Sequence, residues 1–389
     1  MTKKWSSRLT FFAFVVLMVG LGSNDSLRGI FSTIFQEHFS LTTTQLGLIV
    51  TASYIGNLVF LLVGGNLSTR FSKKRVLQVL ILIWMAALAL FAFTSNYTVL
   101  LIGMALALGS STLLNTTMNL ITPLLFATAP GFFVNFLFFT QEIGTSGSQY
   151  ILGSHADGFA FWQHTNLVLL ILGAVAFALL LFCNVPEEAA DPADTPAQKG
   201  GYDWRIIVPY VLVFGFYFIA EHGVMNWMVA YGVDGLGLPQ ASAAKYLSVF
   251  FGGMMIGRLC LSPLVDKLGA LKSLAAFGGV SCVLYLIGSL GGAVTMPVWA
   301  ISGLSFSILY PTLVMSIRLY FPAQQVSGAA GTILSIASLA DILFNVGFGK
   351  LVDMAGYAVS IRVLPLSVLA FFIVFMLFTK FCKPTQKLK

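Results

Sequence analysis

The chain has 389 residues, 58 % hydrophobic and only 9 % charged, with 35 Phe and 37 Gly. One water-soluble core cannot bury that much apolar surface, so the composition excludes an ordinary globular domain and predicts a polytopic membrane protein. The net charge of +7 does not indicate a nucleic-acid partner, because the cations fall at the ends of apolar runs rather than along one basic face.

A helix needs about 20 apolar residues to cross a bilayer. Twelve such runs are predicted, at 9–35, 44–67, 75–94, 97–126, 131–154, 165–184, 205–231, 243–265, 271–291, 294–318, 326–351 and 358–381. The first starts with Lys3, Lys4 and Arg8 but runs past the length of a signal-peptide core and shows no small-residue cleavage site, so it is read as helix one. The acidic, Pro- and Ala-rich stretch 185–204 reads as a flexible linker between an N-terminal bundle, 1–184, and a C-terminal bundle, 205–389. An even number of spans puts both termini on one side. Of the 21 Lys and Arg, all but Lys245, Lys350, Arg362 and the intramembrane Arg28 fall on that side, which the positive-inside rule makes cytoplasmic. The expected location is the cytoplasmic (inner) membrane, with the lipid bilayer as solvent. Cys183, Cys260, Cys282 and Cys382 show no CxxC or Cys/His spacing, so neither disulfides nor a metal site is implied, and no cofactor motif is present.

At an offset of 197 residues, GGNLSTRFSKKR (64–75) lies over LSPLVDKLGALK (261–272), Asp25 falls on His222, and Glu142 lands two residues short of Asp341. These coincidences predict two parallel six-helix repeats with a solute site near the midplane. The loop GRLCLSPLVDKLG (257–269), the Asn24–Asp25 pair, NFLFFTQEIGTSGSQYILG (135–153) and SILYPT (307–312) resemble the major facilitator superfamily, in its proton-coupled fucose-permease branch. The resemblance spans nearly the whole chain. It implies an all-α fold of twelve helices in two pseudo-symmetric bundles, alternating access to the two sides, and a cavity lined by helices one, four, seven and ten. It also implies that Gly65, Arg70 and Lys73 in the first half, and Arg258, Asp266, Lys267 and Gly269 in the second, form loops that move during transport. Asp25 takes the place of the branch's proton-carrying carboxylate. The branch's second carboxylate on helix four is absent, and Asn115 stands there instead.

Ionisable residues deep in a span are functional candidates by default. Asp25 and Arg28, three apart, share a helix face and are expected to neutralise each other, either as a structural ion pair or as a switch thrown by protonation of Asp25. Glu142 has no basic residue within four positions and is the expected replacement for the missing carboxylate. Glu221, His222 and Asp341 complete the proton-coupling candidates, although a lone histidine bonded to a neighbouring helix is an equally open reading of His222. Asn24, Asn115, Asn119, Gln141, Asn226 and Asn345 offer amides to a solute's hydroxyls. Arg28 offers a guanidinium, and Trp227 and Tyr310 offer ring faces to stack upon; Trp227 also fits an interfacial belt. Pro311 is expected to interrupt helix ten. No Walker loop and no nucleophile–base pair occurs, so the sequence reads as a non-enzyme. The expected task is proton symport of a small polar solute, a monosaccharide above all, by a monomer. An organic anion transporter, a cationic drug antiporter and a non-transporting sensor are the alternatives.

Overall fold

The structure, a computed structural model, describes residues 3–126, 130–183, 185–186 and 202–384; within its helices the side chains at 3–4, 63–70, 130–132, 135, 266, 323–324, 327 and 341 lie outside the description. The long helices are α1 (Lys3–Ile30), α2 (Thr43–Arg70), α3 (Lys73–Phe93), α4 (Tyr97–Leu125), α5 (Pro130–Ile151), α6 (Phe159–Leu181), α7 (Trp204–Ala230), α8 (Gln240–Leu268), α9 (Ala270–Leu290), α10 (Met296–Leu319), α11 (Ala323–Ala355) and α12 (Val363–Phe381). Among the described residues eleven of these helices are long and apolar enough to cross a membrane, and α5 occupies the remaining predicted run.

The differences from the predicted runs have local causes. α1 stops at Ile30 and the chain resumes in a short helix, Ser32–His38, so the single run predicted to Phe35 is two pieces. α6 begins at Phe159 rather than 165, because Gln163 and His164 lower the hydropathy of its first turns without disturbing its backbone ladder. α10 breaks at Ser307–Ile308. Proline has no N–H to give the carbonyl four residues back, and four before Pro311 is Ser307. The predicted linker, 185–204, lies mostly outside the described residues.

The chain divides into two compact units, Met1–Asp191 and Pro192–Lys389. In the first, α1 packs on α5 and α6, α2 on α4, and α3 on α4 and α6. In the second, α7 packs on α11 and α12, α8 on α10, and α9 on α10 and α12. Adding six to every helix number turns the first set into the second, the signature of a parallel repeat. Small residues at matching places permit the approach. A Cβ at Gly56 would lie 2.5 Å from Ala105 Cα on α4, and one at Gly253, 197 residues later, 3.0 Å from Leu304 N on α10. Outward, Phe93, Val168, Phe182 and Leu343 are more than half exposed. Such side chains face lipid, where their exposure costs nothing.

Two matching turns of the repeat solve one problem differently. Between α8 and α9 only Gly269 intervenes, at φ 82°, and its N–H bonds the Val265 carbonyl at 2.8 Å. A residue with a Cβ is strained in that left-handed conformation. Its counterpart 197 residues earlier is Ser72, which instead caps α3 by accepting from Arg75 N–H at 3.4 Å.

Candidate functional site

In the N-terminal unit, α1 and α5 touch backbone to backbone at Gly22 and Gly144. A Cβ on Gly22 would fall on the Gln141 carbonyl, and one on Gly144 on the Val19 carbonyl. Two hydroxyls stitch the crossing: Ser23 donates to Gly144 O at 3.4 Å, and Thr145 to Gly22 O at 3.2 Å. Asn24 and Asp25 follow the contact on α1, and Gln141, whose carbonyl meets Gly22, is followed by Glu142 on α5.

From α4, Ser111, Asn115 and Asn119 repeat every four residues and so share a face. Asn115 donates to Gln141 Oε1 at 2.6 Å, and Asn119 donates to Asn115 Oδ1 at 2.6 Å. Asn119 Oδ1 ends this amide chain buried and without a partner. Ser111 donates to Asp25 Oδ2 at 3.3 Å, and Asn24 approaches Oδ1 at 3.5 Å. The unit therefore holds two hydrogen-bonded groups, a carboxylate with a hydroxyl and an amide between α1 and α4, and a chain of amides between α4 and α5. Glu142 is half-buried and engages a partner.

The contact ion pair expected of Asp25 and Arg28 is not the arrangement found. The carboxylate is held by Ser111 and Asn24, and Arg28 acts on it through space. The guanidinium, only 4 % exposed, lies over the Tyr54 ring of α2 at 5.8 Å, and its Nε has no hydrogen-bond partner. A helical offset of three brings two side chains onto one face but does not fix their rotamers. Here the partners that decide them come from α2 and α4.

The second unit treats its candidates unequally. Trp227 is fully buried, donates from Nε1 to Asn345 Oδ1 at 2.8 Å and packs on Phe348 with ring centres 4.8 Å apart. That bond ties α7 to α11. Both side chains are fully buried, so the interfacial belt does not hold Trp227. Asn226 is 1 % exposed and likewise engaged. His222 is half-buried, stacked on Phe218 at 5.4 Å, and Glu221 and Tyr310 are also half-buried. The side chain of Asp341 lies outside the described residues.

Of the loop candidates, Arg258 is misplaced by the sequence reading. It sits ten residues before the end of α8, about 15 Å along the helix at 1.5 Å per residue, next to Gly257, which touches Leu304 and Ser307 of α10. It lies within the apolar span Gln240–Val265 rather than in the turn that follows. Lys267 is exposed at the end of α8, Lys73 opens α3, and the side chains of Arg70 and Asp266, like residue Gly65, lie outside the description. Lys74 was missed: its Nζ donates to Leu181 O at 3.1 Å and Cys183 O at 2.7 Å, closing the end of α6, where a cation suits the helix dipole. Ser111 was missed too, although the four-residue spacing to Asn115 and Asn119 carried the signal. Among the described residues no cluster of His, Cys, Asp and Glu fits a metal ion.

A family model described as Major Facilitator Superfamily matches residues 10–344. The chain belongs to this superfamily. It is therefore a multi-pass membrane transporter rather than an enzyme. Among its relatives is the L-fucose-proton symporter of Escherichia coli, 24 % identical over 333 residues, 74 % of this chain and 75 % of that one. The glucose/galactose transporter of Brucella abortus is 27 % identical over 342 residues, 82 % and 81 % of the two chains. The cis,cis-muconate transport protein of Acinetobacter baylyi is 25 % identical over 297 residues, 71 % and 70 %. A solved D-xylose-proton symporter superposes with a TM-score of 0.78 at 16 % identity, covering 99 % of each chain, which shows the shared fold. The resemblance drawn from Asn24–Asp25, the 257–269 loop and SILYPT thus holds at the level of the superfamily and its sugar-transporting members.

Proposed function

We propose that this transporter moves a monosaccharide-like solute by proton symport, through alternating access, as a monomer in the cytoplasmic membrane with both termini in the cytoplasm. The observation that carries the reading is the set of polar groups in the N-terminal unit. Asn119, Asn115 and Gln141 form a chain of amides ending in an unfilled acceptor, the chemistry that pairs with sugar hydroxyls. Two carboxyl groups, Asp25 and Glu142, stand at the same helix crossing as proton carriers. The names of two relatives, a fucose-proton symporter and a glucose/galactose transporter, support this solute class.

The drive suffices. One charge moved across about 100 mV supplies about 2.3 kcal/mol, and each pH unit adds about 1.4 kcal/mol. Together they sustain accumulation of several hundred-fold.

The test is uptake into proteoliposomes of labelled D-glucose, D-galactose, L-fucose, D-xylose and a set of small organic acids, with and without an inward proton gradient. Gradient-stimulated uptake of one sugar, lost in Asp25→Asn, is the expected result; uptake of every sugar at the rate of empty liposomes would sink the reading. Arg28 favours a second reading, a sugar acid or other organic anion. Its guanidinium is buried with its Nε–H unfilled, and the muconate transport protein is a relative whose named solute is a dicarboxylate. Uptake of an acid, abolished in Arg28→Gln while the sugars fail, would select it.

A further inference from the structure

Glu221 and Arg258 lie on different helices of the C-terminal unit, yet they converge. The place of Arg258 follows from its neighbour. A Cβ at Gly257 would stand 2.6 Å from Leu304 O and 2.8 Å from Ser307 Cβ, so α8 and α10 touch beside Arg258, one turn before Tyr310. The Tyr310 ring is 5.9 Å from that of Tyr217 and 6.2 Å from that of Phe218 on α7, and Phe218 in turn stacks on His222. Behind them Tyr217 stacks on Phe306 at 4.9 Å, and Tyr285 of α9 donates to Ala220 O at 3.1 Å. Glu221 and Arg258 are the charged groups acting on both the Tyr217 and Tyr310 phenols. One carboxylate, one guanidinium and two phenols thus occupy one level of the bundle.

The depth of each group divides their roles. Tyr217 and Tyr285 are fully buried, and the Tyr217 hydroxyl makes no hydrogen bond of ordinary geometry even to Glu221, one turn further on. Glu221, His222, Arg258 and Tyr310 are half-buried. Leaving the open side of a charged group in hydrocarbon is strongly unfavourable. The open sides of Glu221 and Arg258 therefore face water or a solute. A guanidinium is donor only and a carboxylate acceptor only; side by side they match adjacent hydroxyls, each of which both gives and accepts. Sites that hydrogen-bond a substrate hydroxyl discriminate strongly against analogues lacking it, because the buried polar groups are then left unpaired.

We propose that Glu221 and Arg258 form a charge-balanced site on the C-terminal unit that grips adjacent hydroxyls of the solute, Glu221 accepting and Arg258 donating, with the Tyr310 ring beside them. This rests on the reading of the solute as sugar-like. Arg258 supplies the countercharge to Glu221, so Glu221 is a solute ligand, and proton carriage stays with Asp25 and Glu142. Among the described residues the other titratable neighbours include His222 and Tyr217 on α7, Tyr285 on α9 and Tyr310 on α10.

Two measurements on the full chain test it. The first is apparent Tm in detergent of Glu221→Gln, Arg258→Met and the double variant. Each single change is expected to lower Tm, and the double to lower it by less than the two combined. Strictly additive shifts would mean that the charges do not interact and would overturn the pairing. The second is counterflow of the labelled monosaccharide panel without a proton gradient, with Arg258→Lys as the conservative variant. Glu221→Gln and Arg258→Met are expected to lose at least 10-fold and Arg258→Lys less. Intact counterflow with loss of gradient-driven accumulation in Glu221→Gln would instead make Glu221 a proton carrier and refute the assignment. Wild-type protein that moves no sugar would remove the solute reading on which the grip depends, while the Tm comparison would still decide whether the two charges are paired.

Discussion

The crossing of α1 and α5 offers the sharpest perturbation, Gly22→Ala. The new Cβ would sit 2.9 Å from the Gln141 carbonyl carbon and 3.0 Å from Thr145 Oγ1. Ordinary carbon contacts lie at about 3.5–4.0 Å, so the two helices must part by about 1 Å. That displacement carries Ser23–Gly144 (3.4 Å) and Thr145–Gly22 (3.2 Å) beyond hydrogen-bond range, at about 0.6 kcal/mol each in a membrane bundle. Overpacking adds about 1–3 kcal/mol, against which alanine returns about 0.5–1 kcal/mol of helix propensity. The net loss is about 1–4 kcal/mol, read as a fall of several degrees in apparent Tm. Uptake should fall further than stability does, because the same 1 Å shifts α1, which carries Asn24 and Asp25, relative to α5, which carries Gln141 and Glu142. The control is Gly147→Ala, three residues along α5 from Gly144, where a Cβ would meet nothing within 4 Å; it should be at least as stable as the parent and equally active. Gly22→Ala matching Gly147→Ala in both assays would refute the claim that this close approach builds the site.

Trp227→Phe removes the donor that Asn345 Oδ1 accepts from at 2.8 Å and should cost about 1–3 kcal/mol; adding Asn345→Leu should recover part of it, and a thermal double-mutant cycle showing no coupling would contradict the tie between α7 and α11. Lys74→Met strips both carbonyl contacts at the end of α6 and is expected to cost about 1 kcal/mol, with Lys74→Arg nearer the parent in the same melt. In transport, Glu142→Gln should abolish accumulation driven by a pH gradient while leaving counterflow largely intact. Unchanged accumulation would remove Glu142 from the mechanism.

The sequence by itself determined the twelve spans, the order of the elements and the repeat, because each follows from a local quantity: about 20 apolar residues per crossing, or a residue type recurring at one offset. It also brought Asp25, Asn115, Asn119 and Gln141 into the list of candidates, since a polar group inside an apolar run is conspicuous whatever surrounds it. Tertiary structure alone decided what those groups do. Asp25 and Arg28 share a face of α1, but Ser111 from α4 and Tyr54 from α2 set their partners. Trp227 and Asn345, 118 residues apart, satisfy each other. Arg258, grouped by position with the lysines after α8, lies inside that helix, beside its contact with α10. Hydropathy measures how a segment partitions between water and lipid. It carries no record of which helix will lie across which, and in a medium without water that choice determines the partner of every buried charge and amide.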